Sequence, residues 1–276
     1  MSGAPDDRRR DRRPPGGEPG GEPVLDRAVR LLSSFDGTGA LSLTQLSART
    51  GLSKSTALRL ARRLTELGML QRRADGRFVI GLRLWEIASL APHVSGLRAT
   101  ALPYLHGLQL ATGQHVLLAV RDGHEAVVIE HLPDPAAGPA PSWAGGRLPL
   151  HTAAVGLALL AHAPGDVQQQ VLDRARPSSG DGGTHPDEDL RRSLARVRLE
   201  GFAQLRRRQT GATAGVASVA APVFGTQRRI VAAVSAAGSQ APLQPSVVTP
   251  AVVSVARAIS EALGTAADFG GPGTDG

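Results

Sequence analysis

The chain has no cysteine in 276 residues, which excludes disulfides, thiolate metal sites and a cysteine nucleophile together and leans towards a reducing compartment. Aromatic residues make up only 3% against a hydrophobic fraction of 41%, so any core rests on Ala, Val and Leu. No stretch approaches the roughly 18 apolar residues of a membrane span. The N-terminal "MSGAPDDRRRDRRPPGGEPGGEP" carries charge with no apolar segment behind it, unlike a secretion signal. Enzyme signatures are also lacking: there is no GxSxG elbow, no phosphate-binding glycine loop and no His and carboxylate paired at catalytic spacing. Neither HxH nor HExxH occurs, and His115, His124 and His131 fall on no common metal-ligand spacing. These absences predict a cytoplasmic protein of one or two domains with no metal, cofactor or membrane partner.

What is present in excess is positive charge, and it is localised. The net charge is +7, yet residues 1–23 hold five basic and five acidic groups. Residues 24–90 hold eleven basic residues against five acids, while the 186 residues beyond them hold 15 against 14. A module of about seventy residues with that field attracts a polyanion.

Pro, Gly and charge mark residues 1–23 as a disordered arm. "PDPAAGPAPSWAGG" (133–146) reads as a long loop, "RPSSGDGGTHP" (176–186) as a flexible one, and 265–276 as a flexible tail. Within 24–81, Leu25, Ala28, Val29 and Leu32 recur at helical spacing. Ser42 with Gln45 forms a capping-box pattern for a second helix that Gly51 stops. Ser53 caps a third, with Ala57, Leu60, Ala61, Leu64 and Leu67 on one face and Gly68 at its end. "MLQRRADGRFVI" then reads as a hairpin around Asp75-Gly76. Three helices and a hairpin in this order form a winged helix-turn-helix.

The third helix carries Ser55, Thr56, Arg59, Arg62 and Arg63 opposite its leucines, with Ser53 and Lys54 at its start. Hydroxyls and free N–H groups at a helix N-terminus bind phosphate, and arginine grips phosphate or a guanine edge. Ser55, Thr56 and Arg59 are the candidate base readers. Arg62 and Arg63 suit phosphate or solvent, and Arg77 beyond the hairpin tip suits a flanking backbone or minor groove.

The remainder reads as mixed α/β. "HVLLAV" and "EAVVIEHL" make a hairpin, "RLPL" leads into the apolar helix "HTAAVGLALLAHA", and further helices cover 166–175 and 186–200. Strands "GFAQLRR", "GVASVAAPVF" and "RIVAAVSAAG" follow, and Thr249-Pro250 caps a last helix to about Leu263. Strands with helices between and beyond them suggest one sheet covered on at least one face.

"VLDRAVRLLSSF…LSLTQLSARTGLSKSTALRLARRLTELGMLQRR…GRFVIGLRLWEIA", followed by "LPLHTAAVGLALLA", "GFAQ" and "GVASVAAPVF…RRIVAAVSAAG", resembles the IclR family of bacterial transcription regulators from Val24 to Leu263. The resemblance implies an α+β chain: a winged helix at 24–81, a linker helix in 82–97 and a GAF-like effector-binding domain at 98–264. It implies dimers, often paired as tetramers, that bind palindromic double-stranded operators, and it suggests a repressor answering to a small organic effector. Carried over by motif, the effector site is Leu148, His151, Thr152, Ala153, Ala154 and Gly156, with Ser218 and Ser235 from the late strands. Hydroxyls in a mostly apolar cavity suit a carboxylate or hydroxylated ligand. The alternative for both serines is a bond to a neighbouring backbone group. The chain leaves the family pattern at Arg206, Arg207, Arg208 and Gln209, where many members carry a Glu, and at Leu157, where a Lys often stands. The arginines either clamp an anionic effector or face solvent. Two other functions remain open at this point: a second domain that only oligomerises, and an enzyme on the α/β portion.

Overall fold

The computed structural model describes residues 23–35, 39–90, 92–138, 142–175, 186–207, 216–238 and 244–269. The expected arm (1–23), apart from Pro23, and the expected loop at 176–186, apart from Pro186, lie outside these residues. The chain divides into two compact units, Met1–Leu84 and Trp85–Gly276.

The first unit holds α1 (Val24–Ser33), α2 (Leu43–Thr50), α3 (Lys54–Glu66), β1 (Leu70–Arg72) and β2 (Phe78–Ile80). Ser42 and Gln45 complete the capping box of α2, and Gly51 (φ +69°) ends it in the left-handed conformation that a side chain disfavours. Leu31, Leu41, Leu46, Leu60, Leu64, Leu70 and Phe78 form its core. Leu67 is not among them: it is the C-terminal cap of α3 and 46% exposed, because the helix stops at Glu66 and the face it would have continued is lost. The hairpin loop is longer than a two-residue turn. Arg73 N–H donates to Arg77 O (2.8 Å) and Gly76 N–H to Arg73 O (3.0 Å), leaving three residues at the tip with Gly76 at φ +79°. Leu41 adds a bridge to Phe78, with mutual bonds of 2.9 and 2.8 Å.

The division between units falls inside α4 (Leu82–Ser89). The second unit continues with α5 (Pro92–Thr112), β3 (His115–Asp122), β4 (Glu125–Leu132), β5 (Arg147–Pro149), α6 (Ala154–Ala161), α7 (Gly165–Ala175), α8 (Pro186–Glu200), β6 (Ala203–Arg207), β7 (Val216–Phe224), β8 (Ile230–Gly238) and α9 (Pro245–Phe269). Six strands pair antiparallel in the order β5-β4-β3-β8-β7-β6. Alternation along the strands sends Leu117, Ala119, Ala220 and Ala233 towards α6 and α8, and Val116, Leu118, Val219 and Val234 towards α5 and α9. The sheet is therefore covered on both faces.

Three elements differ from the sequence expectation. The 82–97 linker is two helices, with α5 running 21 residues and carrying Leu97, Ala101, Leu105 and Leu108 into the core. The apolar helix after β5 starts at Ala154, since Leu150 to Ala153 form a turn. α9 begins four residues before Thr249, holds Pro250 inside it and continues to Phe269, past the expected start of the tail. Its stretch Pro245–Gly264 is long and apolar enough, by length and composition, to cross a membrane (mean hydropathy 1.3), contrary to the expectation of no such stretch. The composition has a packing cause: Val248, Val252, Ala256 and Ile259 recur on the face laid against the sheet.

Candidate nucleic-acid interface and ligand-binding face

At the start of α3, the Ser53 hydroxyl accepts the Thr56 N–H (3.3 Å) and donates to Thr56 Oγ1 (3.0 Å), and it lies 3.0 Å from the Ser55 hydroxyl. This cap fixes the helix start and leaves Thr56 half-buried with its own O–H still able to donate. Ser55, Arg59 and Arg62 are exposed and fall on one arc at helical spacing, opposite buried Ala57, Leu60, Ala61 and Leu64. Lys54 is exposed but lies off that arc, on the flank next to Ala61. Arg63 is tied to Glu66 at 2.9 Å with both side chains mostly exposed, a pairing weak enough to exchange for a phosphate. Arg77 is exposed past the hairpin tip, its N–H donating to Asp75 Oδ1 (3.0 Å). The hairpin also presents Arg72, placed 5.8 Å from the Phe78 ring centre, and Arg73, which sequence reading counted only as charge.

In the second unit, β5 carries half-buried Leu148 into the turn holding His151, Thr152 and Ala153, all half-buried. Ala153 caps α6 without a side-chain hydrogen bond, so the first N–H groups of the helix keep no side-chain acceptor. Ser235 is 2% exposed and sits opposite Leu117 and Ala220; Ser218 is half-buried opposite Leu205 and Ala237. By alternation both serines share the sheet face that α6 covers. Among the described residues neither hydroxyl makes a hydrogen bond, so the expected alternative of a backbone partner is not what holds them.

Two family models match the chain: the IclR helix-turn-helix domain over residues 24–74 and the bacterial transcriptional regulator IclR C-terminal domain over 90–264. The chain belongs to the IclR family. The regulator RhmR of Escherichia coli is 30% identical over 91% of this chain and 97% of its own length. The transcriptional repressor IclR of E. coli is 27% identical over 78% and 79%. An IclR homologue of Microbacterium hydrocarbonoxydans, solved in complex with 4-hydroxybenzoate, is 30% identical, superposes with a TM-score of 0.71 and aligns over 87% of this chain and 99% of that one.

As a member of the IclR family the chain is a DNA-binding transcription regulator, not an enzyme. Two positions singled out from the sequence acquire a definite physical meaning. Gly156 is buried, and a Cβ there would meet Leu150 Cα and O at 2.6 Å and Pro149 O at 2.7 Å, so it permits α6 to lie against the preceding turn. Arg206 is exposed and pairs with Ala217, one residue out of phase with Ser218, so it stands on the opposite sheet face. Arg208 and Gln209 lie outside the described residues.

Among the described residues no group of three or more His, Asp or Glu is placed to hold a metal. His115, 2% exposed, is a structural strut: its Nδ1 accepts the Asp134 N–H (3.1 Å), which leaves Nε2–H to donate to Gly138 O (2.9 Å). It pins the segment after β4, part of the expected long loop. Burial and the neighbouring His115 hold the His131 pKa below its ordinary value, against the opposing effect of Glu130.

Proposed function

We propose that this regulator is a repressor that binds palindromic operator DNA as a dimer, with α3 in the major groove and the hairpin beside it, and that a small organic carboxylate or hydroxylated molecule releases it. The observation that carries the sensing half is the pair of hydroxyls without a hydrogen bond among the described residues, Ser218 and the buried Ser235, on the face beneath α6, whose start has no side-chain cap. Helix N–H groups bind a carboxylate and serine hydroxyls orient it. The homologue complexed with 4-hydroxybenzoate and the named repressor among the relatives support the ligand class and the sign of regulation. The proposed domain limits are 24–81 for DNA binding, a helical linker from 82 and effector binding up to 264.

Dimerisation rests on exposed apolar side chains. Leu82 (70%), Trp85 (68%) and Ile87 (46%) on α4, and Leu90 (79%) just past it, face water in a single chain. A surface of this kind seeks cover, and a second copy supplies it.

The test is a panel of small acids, 4-hydroxybenzoate included, titrated into the full chain while melting temperature and operator binding are followed. One member raises the melting temperature and weakens operator binding about tenfold, and Ser218→Ala with Ser235→Ala removes both responses. A panel that changes neither quantity refutes sensing and leaves the second domain as an oligomerisation module.

A further inference from the structure

Strands β6 and β7 do not end together. β6 starts at Ala203, opposite Ala220, whereas β7 runs on to Phe224, so Ala221–Phe224 pair with β8 on one side and have no β6 partner on the other. Pro222 brings no N–H to this open edge. The Phe224 N–H donates to Ser260 Oγ of α9 (2.9 Å), which donates in turn to Ala256 O (2.7 Å). The shortfall leaves a cavity of about 520 Å³ whose wall includes His162, Arg198, Phe224, Arg228, Arg257 and Glu261. That volume is in the range of small-molecule sites.

Three guanidinium groups here face one carboxylate. Arg198 is held by neutral acceptors, with Nε on Ala161 O (2.8 Å) and Nη2 on Gln168 Oε1 (3.2 Å), so its position is fixed without loss of charge. Arg228 belongs to the β7–β8 turn, where Arg229 N–H donates to Thr226 O (3.2 Å) and both Gln227 and Arg228 have φ near +56°. Asn-Gly ordinarily fills such a turn; side chains as long as these are strained in it. The turn sets the Arg228 guanidinium 5.7 Å from the Phe224 ring centre. Arg257 projects from α9, exposed. Among the described residues none of the three arginines has a carboxylate partner. α6 and α8 end nearby, each adding about half a negative charge, but Arg198 caps the α6 end and the excess stays positive. His162, at that same end, meets Phe224 edge-on (5.1 Å), and its buried Nε2 has no hydrogen-bond partner among the described residues.

We propose that this cavity is a second ligand site, for a small organic dianion whose apolar body rests on Phe224 and Val253 and whose two charges are held by Arg198, Arg228 and Arg257. It is separate from the site of Ser218 and Ser235, since it lies at the C-terminal end of α6, a helix about 12 Å long, and that site lies towards its start. Arginine suits the role because its planar fork takes carboxylate or phosphate bidentately.

The experiment is calorimetric titration of the full chain, at constant ionic strength, with phthalate, with inorganic phosphate and with neutral phthalamide. Phthalate, phosphate or both bind and phthalamide does not; the arm that binds tells dicarboxylate from phosphate chemistry. Arg228→Ala with Arg257→Ala weakens the binding about tenfold or more, while Ser218→Ala with Ser235→Ala leaves it unchanged. Both arginines are exposed, so the variant keeps the fold, and Arg257→Ala alone gives the same direction of change. Absence of binding at millimolar probe, indifference to the arginine changes, or equal binding of phthalamide overturns the proposal.

Discussion

Arg59 is free of any intramolecular partner among the described residues and stands on the exposed arc of α3, whereas Arg63 is already paired with Glu66. Replacing Arg59 with Ala is therefore expected to lower operator affinity about ten- to a hundredfold, the worth of one bidentate base contact, with little change on random DNA. Arg63→Ala weakens both alike, by about threefold at most, as expected of a phosphate contact. Fluorescence anisotropy with operator and random duplexes separates the two. Gly156 is the opposite kind of residue: its Ala variant pushes a methyl into the Leu150 and Pro149 backbone. It is expected to cost about 1–3 kcal/mol in chemical denaturation, as overpacking does. The Ser53 cap was legible from residue spacing alone, because a cap is a local bargain between one hydroxyl and one N–H three residues on. The clash at Gly156 was not, because the atoms it would meet come from the turn that folds back on α6.

At the scale of elements, α4 exposes Leu82, Trp85 and Ile87. Trp85→Glu puts a charge where the dimer reading needs an apolar contact, so light scattering is expected to show a shift towards monomer and half-saturation of the operator to need more protein. An unchanged mass would mean that another surface pairs the chains. α5 shows why elements are missed: its buried Leu97, Ala101, Leu105 and Leu108 have clear helical spacing, but Gly96, Pro103 and Gly107 punctuate the stretch and read locally as breaks. Packing against the sheet overrides that local preference. In α9, Pro250 similarly suggested a helix start where tertiary contacts of Val248 carry the helix four residues earlier.

For the molecule as a whole, two histidines link stability to pH. His162 has its pKa lowered by burial, then by Arg198 and Arg228; His131 is lowered by burial, then by His115. Each binds its proton more readily when the chain is unfolded, so the folded state is fully favoured above the ordinary histidine value of 6.5. Stability falls as pH drops below that value and through the lowered pKa of the folded protein. Melting temperatures measured from pH 7.5 to 5.5 are expected to decline, and less steeply in His131→Gln with His162→Gln. Short-range rules sufficed for the order of the first three helices, the caps of α2 and α3, the place of the hairpins and the basic module, because each depends on residues within a few positions of one another. They also sufficed for recognising the family, whose motifs are strung along the chain. Tertiary structure alone decided that Arg206 stands across the sheet from Ser218, that Ser235 is buried and makes no side-chain hydrogen bond among the described residues, and that β6 falls short of β7 and opens a cationic cavity. Those three depend on strand register and on which helices close over the sheet, and register is set by pairing between segments far apart in the chain.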